Sequence, residues 1–421
     1  MDSYRVAGID VHKTMLAVVV TDAAGGGESR FERRKFGTVD SELRALSEWL
    51  AEREVREVVM ESTAQYWKAV WRELEPKFKL HLAQAQSNRA PRGRKGDFVD
   101  GERLVRRHIA GELILSFVPD PEQRIWRTLT RTKLQLTKDR VRLHSQLESL
   151  LEDARIKLGT CVSDLLGVSS RRMLQALADG ETDAAKLAEM ADKALRATPE
   201  QLQDALCAAA TLNTLHRQVL GLFLDRLKLI EKQIGTLDQS IADALKGHHA
   251  AVMRLAEVPG YGADSAQQVI AEVGPQAATF PSAEQFASWV GACPGREESA
   301  EVSQSDRSPK GSRQMRRILT EVAHAAIKTE GSIFQQLFRR LVPRIGFKKA
   351  LWAVVHRLSR VTWKILHHGV QYEEKGAVPD PKLAKRRAAK LARRLRAMGY
   401  IVQLTPVARP LTNSATIPAN A

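Results

Sequence analysis

The chain has 421 residues, and its 65 Lys/Arg against 49 Asp/Glu give a formal net charge of +16. This length exceeds one ordinary hydrophobic core and predicts two or three folding units, and the charge favours a polyphosphate partner. The three cysteines lie far apart, which excludes a disulfide framework and a cysteine-based zinc site. The N-terminus lacks the apolar segment of a signal peptide and no apolar run reaches about 18 residues, so we expect a cytoplasmic bacterial protein without a membrane partner.

Residues 4 to about 115 alternate between strand and helix patterns. Five strands are predicted, at 6–9, 16–21, 30–39, 55–61 and 78–85. Ser41 is expected to cap a helix through Arg53, and further helices are predicted at 64–74 and from Asp97. The order of three strands, helix, strand, helix, strand, helix predicts an RNase H-like (RuvC-like) α/β domain over residues 1–118.

Four carboxylates stand at the ends of these elements. Asp10 ends the first strand, Glu61 ends the fourth, and Asp97 and Asp100 share one face of a helix's first turn. Hard divalent cations prefer such oxygen ligands, and two of them can hold the attacking and leaving oxygens of a phosphodiester. An actin-like kinase also begins Gly-Ile-Asp, but it needs a glycine near the ATP phosphates. His12 would obstruct that approach here, which argues against a kinase.

From Ile125 the pattern becomes helical. Leucines recur every seven residues from Leu129 to Leu150, and residues 223–244 place apolar side chains at steps of four and three. Both stretches fit long amphipathic helices that pair as a coiled coil. We therefore expect a helical coiled-coil and oligomerisation region at 119–250. The pattern alone is equally compatible with a bundle core inside one chain.

An all-α domain is predicted for residues 251–373. Val258-Pro-Gly-Tyr-Gly262 before an apolar helix resembles a helix-hairpin-helix element, which can present backbone N–H groups to a phosphate. Ser282 is expected to cap the next helix, a polar loop is expected at 291–311, and helices at 312–328 and 332–368 follow. The remaining residues, 374–421, form a basic tail that is predicted to be partly disordered and to bind phosphates.

The polar loop contains four serines and several basic residues. A serine is a poor nucleophile unless a base or positive charge activates it. Basic side chains near this loop could neutralise a phosphate under attack: Arg307, Lys310, Arg313, Arg316 and Arg317. No histidine that could act as a base is adjacent. The residues alone therefore do not show which of the four serines would be a nucleophile, and an ordinary polar surface loop is an equally good interpretation of this segment.

Together these motifs resemble the DEDD insertion-sequence transposases of the IS110 family. The motifs that carry the resemblance are Gly-Ile-Asp10-Val-His-Lys, Met-Glu61-Ser-Thr, Lys-Gly-Asp97-Phe-Val-Asp100, Val258-Pro-Gly-Tyr-Gly, Phe280-Pro-Ser-Ala, Trp289-Val-Gly-Ala-Cys-Pro-Gly, Glu298-Ser-Ala, Lys310-Gly, Arg316-Arg317 and Arg344-Ile-Gly-Phe-Lys-Lys-Ala. They occur in the family's order over roughly residues 4–372.

The resemblance implies a transposase that is guided by a bridge RNA and cuts and rejoins donor and target DNA with a serine-recombinase-like nucleophile. By position, Ser299 would attack the DNA backbone, and Asp10, Glu61, Asp97 and Asp100 would bind Mg²⁺. A composite active site across subunits implies a homodimer or tetramer. Nucleic-acid contacts are expected at the basic residues of the second domain: Arg307, Lys310, Arg313, Arg316, Arg317, Arg344, Lys348 and Lys349. Glu301 stands where family members usually have glycine after Ser-Ala.

Two other functions stay open on the sequence. A RuvC-like structure-specific endonuclease would use water as the nucleophile, and Ser299 would then be only a loop residue. A non-catalytic nucleic-acid-binding relic would keep the basic charge and the fold but would not depend on Asp10.

Overall fold

The computed structural model describes most of the chain, namely residues 4–23, 30–62, 64–88, 96–192, 195–294, 297–299, 302–305 and 308–374, with isolated positions beyond. The chain divides into two compact units, Met1–Asp120 and Pro121–Ala421. Within the described residues, every helix is too short or too polar to cross a membrane. The predicted basic tail lies outside these ranges from residue 375 onward, apart from the isolated positions.

The first unit is built on a six-stranded mixed sheet. Its strands are β1 (Arg5–Val11), β2 (Met15–Asp22), β3 (Glu32–Gly37), β4 (Val55–Glu61), β5 (Lys79–Ala83) and β6 (Leu115–Ser116), in the spatial order β3-β2-β1-β4-β5-β6. β1 runs antiparallel to β2 and parallel to β4, and β4 runs parallel to β5. The register pairs Ile9 with Met60, so the next residues, Asp10 and Glu61, lie side by side at one sheet edge.

Three helices cover the two faces of this sheet: α1 (Asp40–Glu52), α2 (Trp67–Leu74) and α3 (Asp97–Ile109). Apolar residues of α1 and α2, including Leu46 and Leu74, form a core with one face of the sheet. Leu104 and Val105 of α3 pack on the other face against Val59. This α/β architecture is consistent with the predicted RNase H-like domain.

Two predicted helix starts in the first unit were wrong. Helix α1 begins at Asp40 rather than after Ser41, and its N-cap, Val39, makes no side-chain capping bond. Helix α2 begins at Trp67 rather than Ala64, because Ala64 has a φ of 47°, which is incompatible with a right-handed helix. The two-residue strand β6 is too short to leave a pattern in the sequence.

The second unit begins with a helical region. Its helices are α4 (Pro121–Asp153), α5 (Leu158–Cys161), α6 (Val168–Ala178), α7 (Ala184–Glu189), α8 (Pro199–Leu206) and α9 (Thr214–Ala244). The long helices α4 and α9 pack against each other, and Leu143, Leu147, Leu224 and Leu227 join one core with the shorter helices. The buried part of both apolar stripes is therefore covered within one chain.

The rest of the second unit forms another core. Its elements are α10 (His249–Ala256), α11 (Ala263–Val273), α12 (Ala283–Val290), β7 (Glu297–Ser299), β8 (Val302–Ser305), α13 (Arg313–Ala326) and α14 (Ile333–His368). The expected polar loop contains the antiparallel pair β7–β8, which the sequence did not predict. Ser282 caps α12 as expected, through a bond from the Gln285 N–H. Helix α14 is interrupted at Gly346, whose φ of 76° is not helical.

The Val258–Gly262 motif packs the turn between α10 and α11 against the later helices α13 and α14. Gly260 has a φ of 92°, and a Cβ there would lie 2.3 Å from the Val322 carbonyl oxygen of α13. The buried Tyr261 hydroxyl lies 2.6 Å from the Thr362 Oγ1 of α14. Part of this motif therefore serves packing of the second unit.

Candidate acidic metal centre and basic surface

Four acidic residues of the first unit are gathered by β1, β4 and the N-terminus of α3. Asp10 is the penultimate residue of β1, Glu61 is the last residue of the parallel strand β4, and Asp97 and Asp100 occupy the first turn of α3. Helix α3 lies directly on β1, because a Cβ at Gly8 would be 2.5 Å from the Gly101 carbonyl oxygen. This close approach brings the helix start to the sheet edge that carries Asp10.

Asp10 and Asp97 share a histidine neighbour. The Nε2 of His12 lies 3.0 Å from Asp10 Oδ2 and 3.6 Å from Asp97 Oδ1, and Lys35 Nζ lies 3.5 Å from Asp97 Oδ2. Burial raises the pKa of Asp10, and the charges of Asp100 and Asp97 act in the same direction against the His12 contact. A cation bound at this edge would offset both the burial of Asp10 and the neighbouring carboxylate charges.

Glu61 and Asp100 are held by a separate hydrogen-bond network. The buried Asn88 donates from Nδ2 to Glu61 Oε2 at 2.9 Å, and Arg103 Nε donates to the Asn88 carbonyl at 3.2 Å. Arg103 also forms an ion pair with Asp100. Asn88 and Arg103 thus fix the positions of two predicted ligands.

The donor set fits a hard divalent cation. One ligand atom from each of Asp10, His12 and Asp97 lies within 4.8 Å of the other two, and the Asp97 side chain is 40% exposed, which leaves the site open. Carboxylate oxygens are the ligands that Mg²⁺ prefers, and it usually keeps several waters. The sequence prediction did not include His12, although its position two residues beyond Asp10 was a usable signal.

The predicted nucleophile lies in the second unit. Ser299 is the last residue of β7 and pairs with Val302 of β8. Glu301 and Arg307 lie outside the described residues. Lys310 and Arg313 are exposed next to the start of α13.

Two other predicted phosphate-binding arginines make contacts inside the fold. Arg316 donates from Nη1 to the Gly291 carbonyl at 2.9 Å and to the Pro309 carbonyl at 3.1 Å, and its guanidinium lies 4.3 Å from the Trp352 ring centre. Arg317 pairs with Glu321 at 2.8 Å. The Arg316 contacts stabilise the base of the loop that precedes α13, whereas the Arg317–Glu321 pair lies within that helix.

The kink in α14 carries the other predicted basic residues. Arg344, Lys348 and Lys349 are exposed there. The same segment exposes Ile345 and Phe347, the latter with 51% of its surface accessible. Basic groups next to an exposed aromatic ring are typical of surfaces that bind single-stranded nucleic acid.

Comparison with protein families finds two matching regions. A transposase model of the DEDD type of IS110 matches residues 7–156, and the model described as "Transposase IS116/IS110/IS902 family" matches residues 252–339. The chain carries both domains of an IS110-family transposase. The first match contains all four acidic residues and the second contains Ser299 and Arg313. No curated protein matches the chain.

An IS110-family transposase is an enzyme that cuts and rejoins DNA, so DNA is its substrate. The acidic cluster is compatible with the divalent metal that DEDD transposases typically use. Within this transposase, Asp10 and Asp97 are brought together, and Glu61 and Asp100 are tied to each other through Asn88 and Arg103.

Proposed function

We propose that this transposase cleaves DNA with a magnesium-dependent acidic site in its first unit and with Ser299 of its second unit as the nucleophile. The observation that carries the proposal is the gathering of Asp10, Glu61 and the start of α3 at one sheet edge. Bound Mg²⁺ would be held by Asp10, Glu61, Asp97 and Asp100 and would stabilise negative charge on phosphodiester oxygens.

The neighbouring residues hold these ligands in position. Asn88 and Arg103 orient Glu61 and Asp100 through hydrogen bonds. Loss of such a bond to a metal ligand typically lowers metal affinity or activity about 10- to 100-fold. His12 bridges Asp10 and Asp97, and the charge of Lys35 offsets part of the negative charge. The acidic site is therefore preorganised by side chains of its own unit.

The covalent step would occur at Ser299. Its hydroxyl would release its proton as Oγ forms a bond to phosphorus and the bond from phosphorus to one sugar oxygen breaks, and that sugar oxygen would take up a proton in exchange. A phosphoserine link conserves the energy of the phosphodiester, so a DNA hydroxyl can later displace the serine and rejoin the strand.

We further propose that the α14 kink binds nucleic acid, including a guide RNA. Among the residues that the structure describes, Arg344 and Lys348 form no ion pair, so their charges are available to phosphates. Phe347 lies between them and exposes a ring on which a base can stack. Such contacts favour single-stranded or looped RNA over a rigid duplex.

A second copy of the chain is proposed to dock on α9. Leu215, Leu222 and Leu229 are all exposed on this helix and are spaced by seven residues. A seven-residue repeat of exposed leucines is typical of a helix seam that pairs with another helix. This stripe is distinct from the buried one that contacts α4.

Trapping of a protein–DNA adduct tests the nucleophile. Wild-type protein incubated with cognate DNA, guide RNA and Mg²⁺ should yield DNA that migrates with protein on a denaturing gel. Ser299→Ala should abolish the adduct, whereas the matched control Ser303→Ala should retain it. Nicked DNA without an adduct would instead support a water-dependent RuvC-like endonuclease, and unchanged activity in Asp10→Ala would support a non-catalytic relic.

A further inference from the structure

A second group of metal-binding side chains lies in the first unit, away from the acidic centre. Glu57 of β4, His81 of β5 and His108 of α3 converge, and the Nε2 atoms of both histidines lie 3.0 Å from the same oxygen, Glu57 Oε2. The two imidazole ring centres are 4.4 Å apart. Three elements that are distant in sequence thus direct one carboxylate and two imidazoles to a common point.

We propose that Glu57, His81 and His108 bind a transition-metal ion of the Zn²⁺ type. Two imidazoles and one carboxylate are a donor set that holds zinc with a fourth position left for water. Ligand bonds of about 2.0–2.1 Å in a tetrahedron put neighbouring ligand atoms about 3.3 Å apart, close to the 3.0 Å separations found here. Imidazole nitrogen favours zinc, copper or nickel over Mg²⁺.

The site is separate from the acidic centre. Glu57 precedes Glu61 by four residues of an extended strand, which corresponds to about 13 Å. His108 follows Asp97 by eleven residues of helix, which corresponds to about 16 Å. The two groups therefore lie at opposite ends of α3, and a metal at one site does not share ligands with the other.

The surroundings allow the ion to enter. The side chains of Glu57, His81 and His108 are 11–17% exposed, so the protein shields the group while leaving it accessible. Lys79 donates to the other Glu57 oxygen at 2.8 Å, and its positive charge opposes a cation. Because the Lys79 side chain is 68% exposed, it can swing into solvent when a metal binds.

A metal at this position would join the C-terminal end of α3 to strands β4 and β5. The N-terminal end of the same helix carries Asp97 and Asp100. Binding would therefore stiffen the element that positions half of the acidic centre and would raise the thermal stability of the first unit.

Zinc titration of the full-length, chelator-treated protein tests the proposal, with a chromogenic chelator as competitor. We expect each chain to bind one Zn²⁺ ion tightly, and excess Mg²⁺ should not displace it. Co²⁺ bound in place of Zn²⁺ should give the intense visible absorption of four-coordinate cobalt. His81→Gln and His108→Gln should each weaken binding at least 10-fold. His367→Gln, which alters an exposed histidine elsewhere, is the matched control and should not.

Lys79→Gln provides a second test that leaves all three ligands in place. Removal of the opposing charge should tighten Zn²⁺ binding several-fold, which a purely structural hydrogen-bond cluster would not show. The proposal is overturned if wild-type protein binds no zinc equivalent at micromolar concentration, if folded His108→Gln binds as tightly as wild type, or if Lys79→Gln leaves the affinity unchanged. None of these measurements requires DNA cleavage, so the result is independent of the proposed nucleophile.

Discussion

Replacing Gly8 by alanine places a methyl group between β1 and α3. The added Cβ would lie 2.5 Å from the Gly101 carbonyl oxygen and 2.7 Å from Val105 Cγ2. Carbon–oxygen contacts are normally about 3.3 Å or longer, so the helix must retreat by roughly 0.8 Å. Overpacking of this kind costs about 1–3 kcal/mol of unfolding free energy.

The displacement should also reach the acidic centre. Asp97 and Asp100 belong to α3 and would move with it. A displacement of catalytic groups by about 1 Å can lower a catalytic rate about 100-fold. We therefore expect Gly8→Ala to lower the unfolding temperature, to speed hydrogen exchange of the α3 amides and to reduce DNA joining strongly. These three effects should appear together because they have one cause.

Gly221→Ala is the matched control for this experiment. Gly221 lies inside α9, and no heavy atom lies within 4 Å of a Cβ added there. Alanine should stabilise that helix by about 0.5–1 kcal/mol and should leave DNA joining unchanged. If Gly8→Ala retained wild-type stability and joining, the close packing of α3 on β1 would not be what positions the acidic residues.

Three further predictions concern charge, assembly and acid stability. Lys348→Gln should weaken binding of single-stranded RNA and reduce its salt-dependence slope by about one, because one phosphate contact is lost. Leu222→Glu should shift the protein towards monomer in light scattering. Burial raises the pKa of Glu57, but hydrogen bonds from Lys79 and His108 outweigh burial and lower it to about 2. Ionised Glu57 therefore stabilises the metal-free fold above pH 4.5, and thermal melts should show this contribution disappearing towards pH 2.

Each of these predictions has its own control. Lys138→Gln removes an exposed charge from α4 and should leave the salt slope unchanged, and Gln239→Glu adds a charge to an exposed face of α9 away from the leucine stripe. Equal salt slopes for Lys348→Gln and wild type would refute the phosphate contact. A Leu222→Glu protein that assembles like wild type would refute the α9 interface. Glu57→Gln should flatten the acid dependence, and an unaltered profile would show that Glu57 does not contribute.

Sequence patterns predicted the central strands well because their apolar runs are buried on both faces. Val58 and Val59, which belong to the cores on opposite faces of the sheet, are both fully buried, and the carboxylates near the ends of β1 and β4 were recognisable from the change in polarity. The closeness of α3 to β1 was not predictable, since it depends on Gly8 and Gly101, which are far apart in sequence.

The hydrogen-bond network around Glu61 was likewise not predictable, because it joins residues that are distant in sequence. Asn88 and Arg103 belong to different elements, and nothing local in the sequence indicates that they meet. Periodicity likewise identified α4 and α9 as amphipathic helices, but an apolar stripe does not reveal what covers it. The β7–β8 pair was missed because its short strands are mostly polar and lack an apolar alternation.

The most direct test of the acidic centre is a DNA-joining assay with Mg²⁺ titration on Asp97→Asn. Asp243→Asn, an exposed acid of α9, is the control. Asp97→Asn should retain the wild-type circular dichroism spectrum and DNA affinity but lose joining at every Mg²⁺ concentration, whereas Asp243→Asn should join normally. Wild-type joining by Asp97→Asn would contradict the assignment of this sheet edge as the catalytic metal site.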